Sequence, residues 1–127
     1  MTKVLFICEH GSSKSVIAAA HFARIAHEHG LDSDPTSRGT NPDESFPPHV
    51  VAGLEADGLA PLEDSPRELT EQDFVEATHV ITFCDVTIPS ESSAKVYSWA
   101  DVPAVSERYE AARQEIVRRI ERILSVM

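Results

Sequence analysis

The sequence predicts an α/β fold, a central parallel sheet of about four strands with helices on both faces, built as one three-layer domain over residues 1–127. Three observations carry this. Two apolar runs of strand length, Lys3 to Cys8 and Thr78 to Cys84, are apolar almost throughout rather than alternating, as strands covered on both faces are. Segments with helical periodicity separate the strand-like runs, and strands joined through helices become parallel neighbours by right-handed crossovers. The length is sufficient to bury a core without disulfide staples.

The elements follow in order. Lys3 to Cys8 is β-branched or aromatic at Val4, Phe6 and Ile7 and runs directly into a polar loop containing Gly11, Ser12, Ser13 and Ser15. A helix is expected from Val16 to His29, with Ala18, Phe22, Ile25 and Ala26 on one stripe and Gly30 as its stop. His21, His27 and His29 invite a metal reading, but His27 and His29 face different directions on a helix. They read better as solvated or partly packed histidines. Leu31 to Gly39 is less regular, and Pro35 argues against a central strand there. Asn41 to Pro48 is loop, and Pro47 and Pro48 suit the start of a short helix with Val50, Val51 and Leu54 on its apolar face. Ser65 with Glu68, and Thr70 with Asp73, are two helix-start signals. Lys95 to Trp99 reads as a further strand, followed by a turn at Ala100 to Pro103. Ser106 is placed to cap a last helix carrying Tyr109, Ala112, Ile116, Ile120 and Ile123.

Composition narrows the function. The formal charge of −10 argues against nucleic acid and against an anionic membrane surface as partner. No apolar run approaches a membrane span, and the N-terminal apolar segment is too short for a signal peptide, so a cytoplasmic protein is expected. Two cysteines do not make a disulfide framework and leave room for redox or nucleophilic chemistry. No cofactor and no metal are expected.

A strand, a Gly/Ser loop and a helix start together form an anion cradle, because backbone N–H groups converge there and the helix dipole adds positive potential. Cys8 stands at its edge, where that potential favours the thiolate. A lone cysteine ending an apolar strand is also a common buried core residue, so Cys8 has two readings. Lys14 likewise is either a ligand for the anion or a solvated first-turn lysine.

The run C-E-H-G-S-S-K-S, residues 8–15, resembles the phosphate-binding loop of low-molecular-weight protein tyrosine phosphatases and thioredoxin-coupled arsenate reductases, which reads Cys-x5-Arg-Ser after the first strand. The position and length match, but Lys14 stands where the family has Arg. A lysine is a mobile point charge, whereas arginine offers a rigid planar fork. Gly11 replaces a family Asn in a left-handed conformation. The resemblance places the second strand at Leu31 to Gly39, ending in Ser37-Arg38-Gly39, and implies a low-molecular-weight phosphatase-like fold.

It also implies the site. Cys8 is the nucleophile, and Ser15 hydrogen-bonds its thiolate. The amides of Glu9, His10, Gly11, Ser12, Ser13 and Lys14, with the Lys14 side chain, hold the oxyanion. Cys84 resembles the arsenate reductase cysteine that attacks the first one, although the third cysteine of that relay is missing from Asp85 to Ile88. The family's general acid is the Asp of an Asp-Pro pair. Here Trp99-Ala100-Asp101-Val102-Pro103 puts Asp101 one residue early, so Asp101 is either the acid or an ordinary turn aspartate. The aromatic pair that tyrosine phosphatases carry after that Pro is absent, which argues against phosphotyrosine. The implied substrate is a small oxyanion or phosphomonoester, with a thiol or thioredoxin-type reductant in the arsenate case. A catalytically impaired relative that binds phosphate, sulfate or a protein partner through the same loop is the alternative.

Overall fold

A computed structural model describes all 127 residues. Four strands, β1 (Thr2–Cys8), β2 (Ser33–Gly39), β3 (His79–Thr82) and β4 (Lys95–Ser98), form one all-parallel sheet in the order β2-β1-β3-β4. The helices are α1 (Lys14–Glu28), α2 (Pro48–Ala56), α3 (Glu71–Glu76) and α4 (Tyr109–Leu124). β1 is central and buried on both faces, as its uninterrupted apolar run requires. Its side chains divide by alternation. Val4, Phe6 and Cys8 enter the main core with α1, α2 and α4, while Leu5 and Ile7 enter a smaller one with Phe74 of α3, Ala77 and Val80.

Pro35 argues against a central strand, and β2, which carries it, is an edge. Pro35 sits in register with Val4, where a missing N–H costs least. Gly39 at the end of β2 packs backbone to backbone against the loop after β1. A Cβ on Gly39 would lie 2.6 Å from the Gly11 amide nitrogen, and one on Gly11 would lie 2.8 Å from that of Gly39. Gly11 has φ +60, the left-handed conformation expected for it.

Two expected helix starts are corrected. Ser65 with Glu68 starts no helix: the Gly39 amide donates to the Arg67 carbonyl and the Leu69 amide to the Gly39 carbonyl, drawing this backbone into a bridge beside β2. The second signal holds, since Thr70 and Asp73 form a reciprocal capping box on α3. Ser106 caps nothing. The residue before α4 is Arg108, with no side-chain cap, and Ser106 is left at the sheet's carboxyl end.

His21 is neither solvated nor partly packed but fully buried. It faces a charged junction in which Arg113 of α4 binds Asp57 at the end of α2 and Arg24 donates to the Asp57 carbonyl. The His21 Nε2 has no hydrogen-bond partner and lies 3.5 Å from Asp57 Oδ2. Burial, with Arg24 next, lowers its pKa to about 4, so the ring is neutral at pH 7. No helix is long and apolar enough to cross a membrane.

Candidate active site

The chain leaves β1 at Cys8 and re-enters regular structure at Lys14, turning through Glu9 to Ser13 around a cavity of about 500 Å³ at the carboxyl end of the sheet. Ligands of parallel sheets collect at that end. None of the backbone amides from Glu9 to Val16 has an acceptor within the protein. The first turn of α1 leaves its N–H groups free for geometric reasons, and the loop adds its own, so the cradle is made of backbone. Cys8 is buried beneath it, and its Sγ lies 2.9 Å from the Ser15 Oγ, a hydroxyl able to donate to a thiolate.

A second loop, following β2, holds the first in shape. The Thr40 amide donates to the Cys8 carbonyl, Asn41 to Glu9 and Asp43 to His10, at 3.3, 2.7 and 3.0 Å. The buried Ser12 hydroxyl donates to Asp43 Oδ2 at 2.8 Å. Asp43 was not foreseen as a site residue. Nothing distinguishes it from other polar residues in a proline-rich loop until Gly39 packs on Gly11. Pro47, His49, Phe83, Val105 and Ser106 complete the wall with Cys84.

Among the residues expected at the site, Cys8, Glu9, His10, Ser12, Ser13, Lys14 and Cys84 line the cavity. Gly11 and Ser15 support the loop from behind, through the Gly39 contact and the Cys8 hydrogen bond. Lys14 does not hold its ammonium free: Nζ donates to the Val102 carbonyl at 2.8 Å and straps α1 to the turn after β4.

Asp101 is not among the residues that line the cavity. It is three-quarters exposed and makes a two-pronged pair with Arg119 at 2.8 and 2.9 Å. Arg119 also binds Glu115 and lies over the Trp99 ring, 5.9 Å from its centroid. That hydrogen bonding holds the Asp101 carboxyl below its usual range, which favours the base form and not the acid. Val102, the residue before Pro103, has its side chain buried in the main core.

Cys84 lies two residues beyond β3, half-buried and free, as Cys8 is free. Burial first, then the charges of Cys8, Glu9 and Asp85, push its thiol above the ordinary value, against a hydrogen bond from Thr40. No group of three or more His, Cys, Asp or Glu is placed to hold a metal ion.

The family model described as low molecular weight phosphotyrosine protein phosphatase matches residues 3–122. The chain belongs to that family. Its fold is that of a low molecular weight protein tyrosine phosphatase from T. tengcongensis, with TM-score 0.86, 20% identity and 100% of each chain covered. A mutant of YwlE from Bacillus subtilis aligns with TM-score 0.84 at 21% identity, over 97% of this chain and 96% of that one. The thioredoxin-dependent arsenate reductase of Corynebacterium glutamicum is 26% identical, with TM-score 0.81. The alignment takes in 99% of this chain but only 61% of that protein's length. No curated protein matches by sequence.

Proposed function

We propose that this member of the family is an oxyanion-handling enzyme in which Cys8 attacks a phosphomonoester held by the amides of residues 9–14. The observation that carries the proposal is the Ser15 Oγ at 2.9 Å from the Cys8 Sγ, directly beneath a ring of unpaired amides. A buried cysteine that is merely packing has no need of such a ring. In the first step the Cys8 thiolate forms an S–P bond and the P–O bond to the leaving group breaks, its electron pair going to the leaving oxygen with a proton from cavity water. In the second, water attacks phosphorus, releasing phosphate and the thiolate. The amides and the helix dipole oppose the charge developing on the equatorial oxygens. With Asp101 paired to Arg119, substrates whose leaving oxygen needs no proton are favoured, because a placed acid contributes about 10²–10⁴-fold.

A thiol relay is supported by Cys84 lining the same cavity as Cys8 and by the arsenate reductase relative. Arsenate would bond to the Cys8 sulfur with loss of water. Cys84 would then attack that sulfur, forming the disulfide as arsenic takes the electron pair and leaves as arsenite. A thioredoxin-type dithiol would restore both thiols. The raised Cys84 thiol slows that attack.

A binding protein without turnover is the second reading. It is favoured by Lys14 on the Val102 carbonyl and by Asp101 on Arg119.

Three assays decide among them: oxyanion affinity, aryl phosphatase rate and arsenate-dependent thiol oxidation, on the wild type, Cys8→Ser, Cys84→Ser and Lys14→Arg. Cys8→Ser is expected to lower turnover by at least about 10³-fold while retaining oxyanion binding. Lys14→Arg is expected to raise turnover more than affinity, since a planar fork follows two oxygens into the transition state. Binding without Cys8-dependent turnover in either background gives the case to the binding protein. Failure to bind any oxyanion removes the loop assignment.

A further inference from the structure

The charged and titratable side chains at this cavity, besides Cys8, are Glu9, His10, Lys14, Asp43, His49 and Cys84. The arrangement is unfavourable for an anion at first sight. The Lys14 ammonium is turned to a protein carbonyl, and two carboxylates stand at the cavity. His10 lies between them, with Nε2 3.6 Å from Glu9 Oε2 and Nδ1 3.6 Å from Asp43 Oδ1.

The ring is oriented by its neighbours. Nδ1 is 3.2 Å from the Asn41 carbonyl oxygen. A carbonyl only accepts, so Nδ1 carries a proton, and Nε2 is the nitrogen that gains or loses one. Asp43 is fixed in turn by the Ser12 hydroxyl and by its own amide on the His10 carbonyl. The histidine is therefore built into the junction between the two loops.

We propose that His10 is the charge switch of the oxyanion site: its imidazolium, seated between Glu9 and Asp43, offsets their charge so that an anion enters the loop, and its neutral form lets them repel it. This rests on the reading of the loop as an oxyanion cradle. With His10 protonated, the trio of Glu9, His10 and Asp43 carries one net negative charge in place of two. Anion binding and protonation of His10 are then linked, each favouring the other, so affinity falls as pH rises. The His10 side chain is half exposed, so solvent and salt screen the effect to about five- to tenfold. Facing His10 are Glu9 from its own loop and Asp43 with the Asn41 carbonyl from the loop after β2. His49, Lys14, Cys84 and the Cys8 thiolate lie on the same cavity.

Sulfate is the probe, because it stays a dianion where phosphate itself titrates. Calorimetry on the full chain carrying Cys8→Ser, which removes the thiolate, measures affinity from pH 5.5 to 8. Buffers of differing ionisation enthalpy report the proton taken up on binding, and that measurement requires no change at His10. The expected result is a five- to tenfold loss of affinity across the range, with proton uptake at its midpoint. The slope should survive His49→Gln and vanish in His10→Gln, which binds weakly throughout, while His10→Lys binds evenly up to pH 8. Sulfate binding that is flat with pH, takes up no proton, or keeps its slope in His10→Gln overturns the switch and leaves the cradle standing. No sulfate binding at any pH overturns both.

Discussion

Two loops at the carboxyl end of the sheet, Glu9 to Ser13 after β1 and Trp99 to Pro103 after β4, end in opposite conditions. The first is arranged around open space. Its amides have no acceptor in the protein, and its shape is held by a neighbouring loop and by the contact of Gly11 with Gly39. The second is fastened to protein at three points: Trp99 packs on Phe6 and Phe83, Val102 is buried, and Asp101 is held by Arg119. A cradle made of backbone persists when side chains change, because its donors belong to the main chain. A carboxylate is a single side chain, and its position depends on which partner lies within reach, here Arg119. The first loop therefore keeps free donors at its cavity, while the carboxylate of the second is engaged by an arginine.

The contrast is broken most forcefully at the glycine contact. Gly39→Ala puts a Cβ against the Gly11 and His10 backbone, and one of the two loops must move. Overpacking of this kind costs about 3 kcal/mol. Chemical denaturation should show that loss together with loss of phosphate or sulfate binding. An alanine variant with wild-type affinity would show that the loop does not depend on this contact.

A second measurement separates the site from the scaffold. His21 is buried neutral with a pKa of about 4, below its unfolded value near 6.5. The unfolded chain therefore binds more protons between those values. Stability is full above about pH 6.5 and declines as pH falls toward 4, by roughly 2–3 kcal/mol. Urea midpoints against pH should show this in the wild type and not in His21→Phe. If His21→Phe keeps the same acid slope, the decline originates elsewhere, and pH effects on oxyanion binding must be separated from folding.

Ser15→Ala removes one hydrogen bond to the Cys8 sulfur and no packing of consequence. At a typical cost of about 1 kcal/mol it should slow Cys8 alkylation at neutral pH about fivefold, with Cys84 alkylation unchanged. Equal rates in wild type and variant would mean that the hydroxyl does not act on the thiolate.

The smallest effect is expected on the other loop. Asp101→Asn should change aryl phosphatase turnover by less than about twofold, because the carboxylate is turned from the cavity and an acid in place is worth about 10²–10⁴-fold. A fall of tenfold or more would mean that the turn rearranges when substrate binds and that Asp101 leaves Arg119.

Much of the scaffold was legible because its signals are local. The apolar run of β1, the stripe of α1, Gly11 in a left-handed turn and the Thr70–Asp73 capping box each follow from residues a few positions apart. Pro35 argued only against a central strand, and the strand that carries it does lie at the sheet's edge. Ser65 with Glu68 misled because Gly39, distant in sequence, claimed that backbone for a bridge. His21 looked like any other helix histidine until α2 and α4 closed over it.

By itself, then, the sequence determined an alternating α/β chain, a strand ending in Cys8, and a Gly/Ser loop leading into a helix. These depend on steric and hydrogen-bonding preferences acting over one or two turns of chain. Only the tertiary structure decided where the charges point. It carried Lys14 to the Val102 carbonyl, Asp101 to Arg119, and Asp43 to Ser12 and His10. Each partner lies between 18 and 88 residues away or in a loop brought near by the sheet, and a charged side chain takes whichever partner the packing of the core leaves within reach.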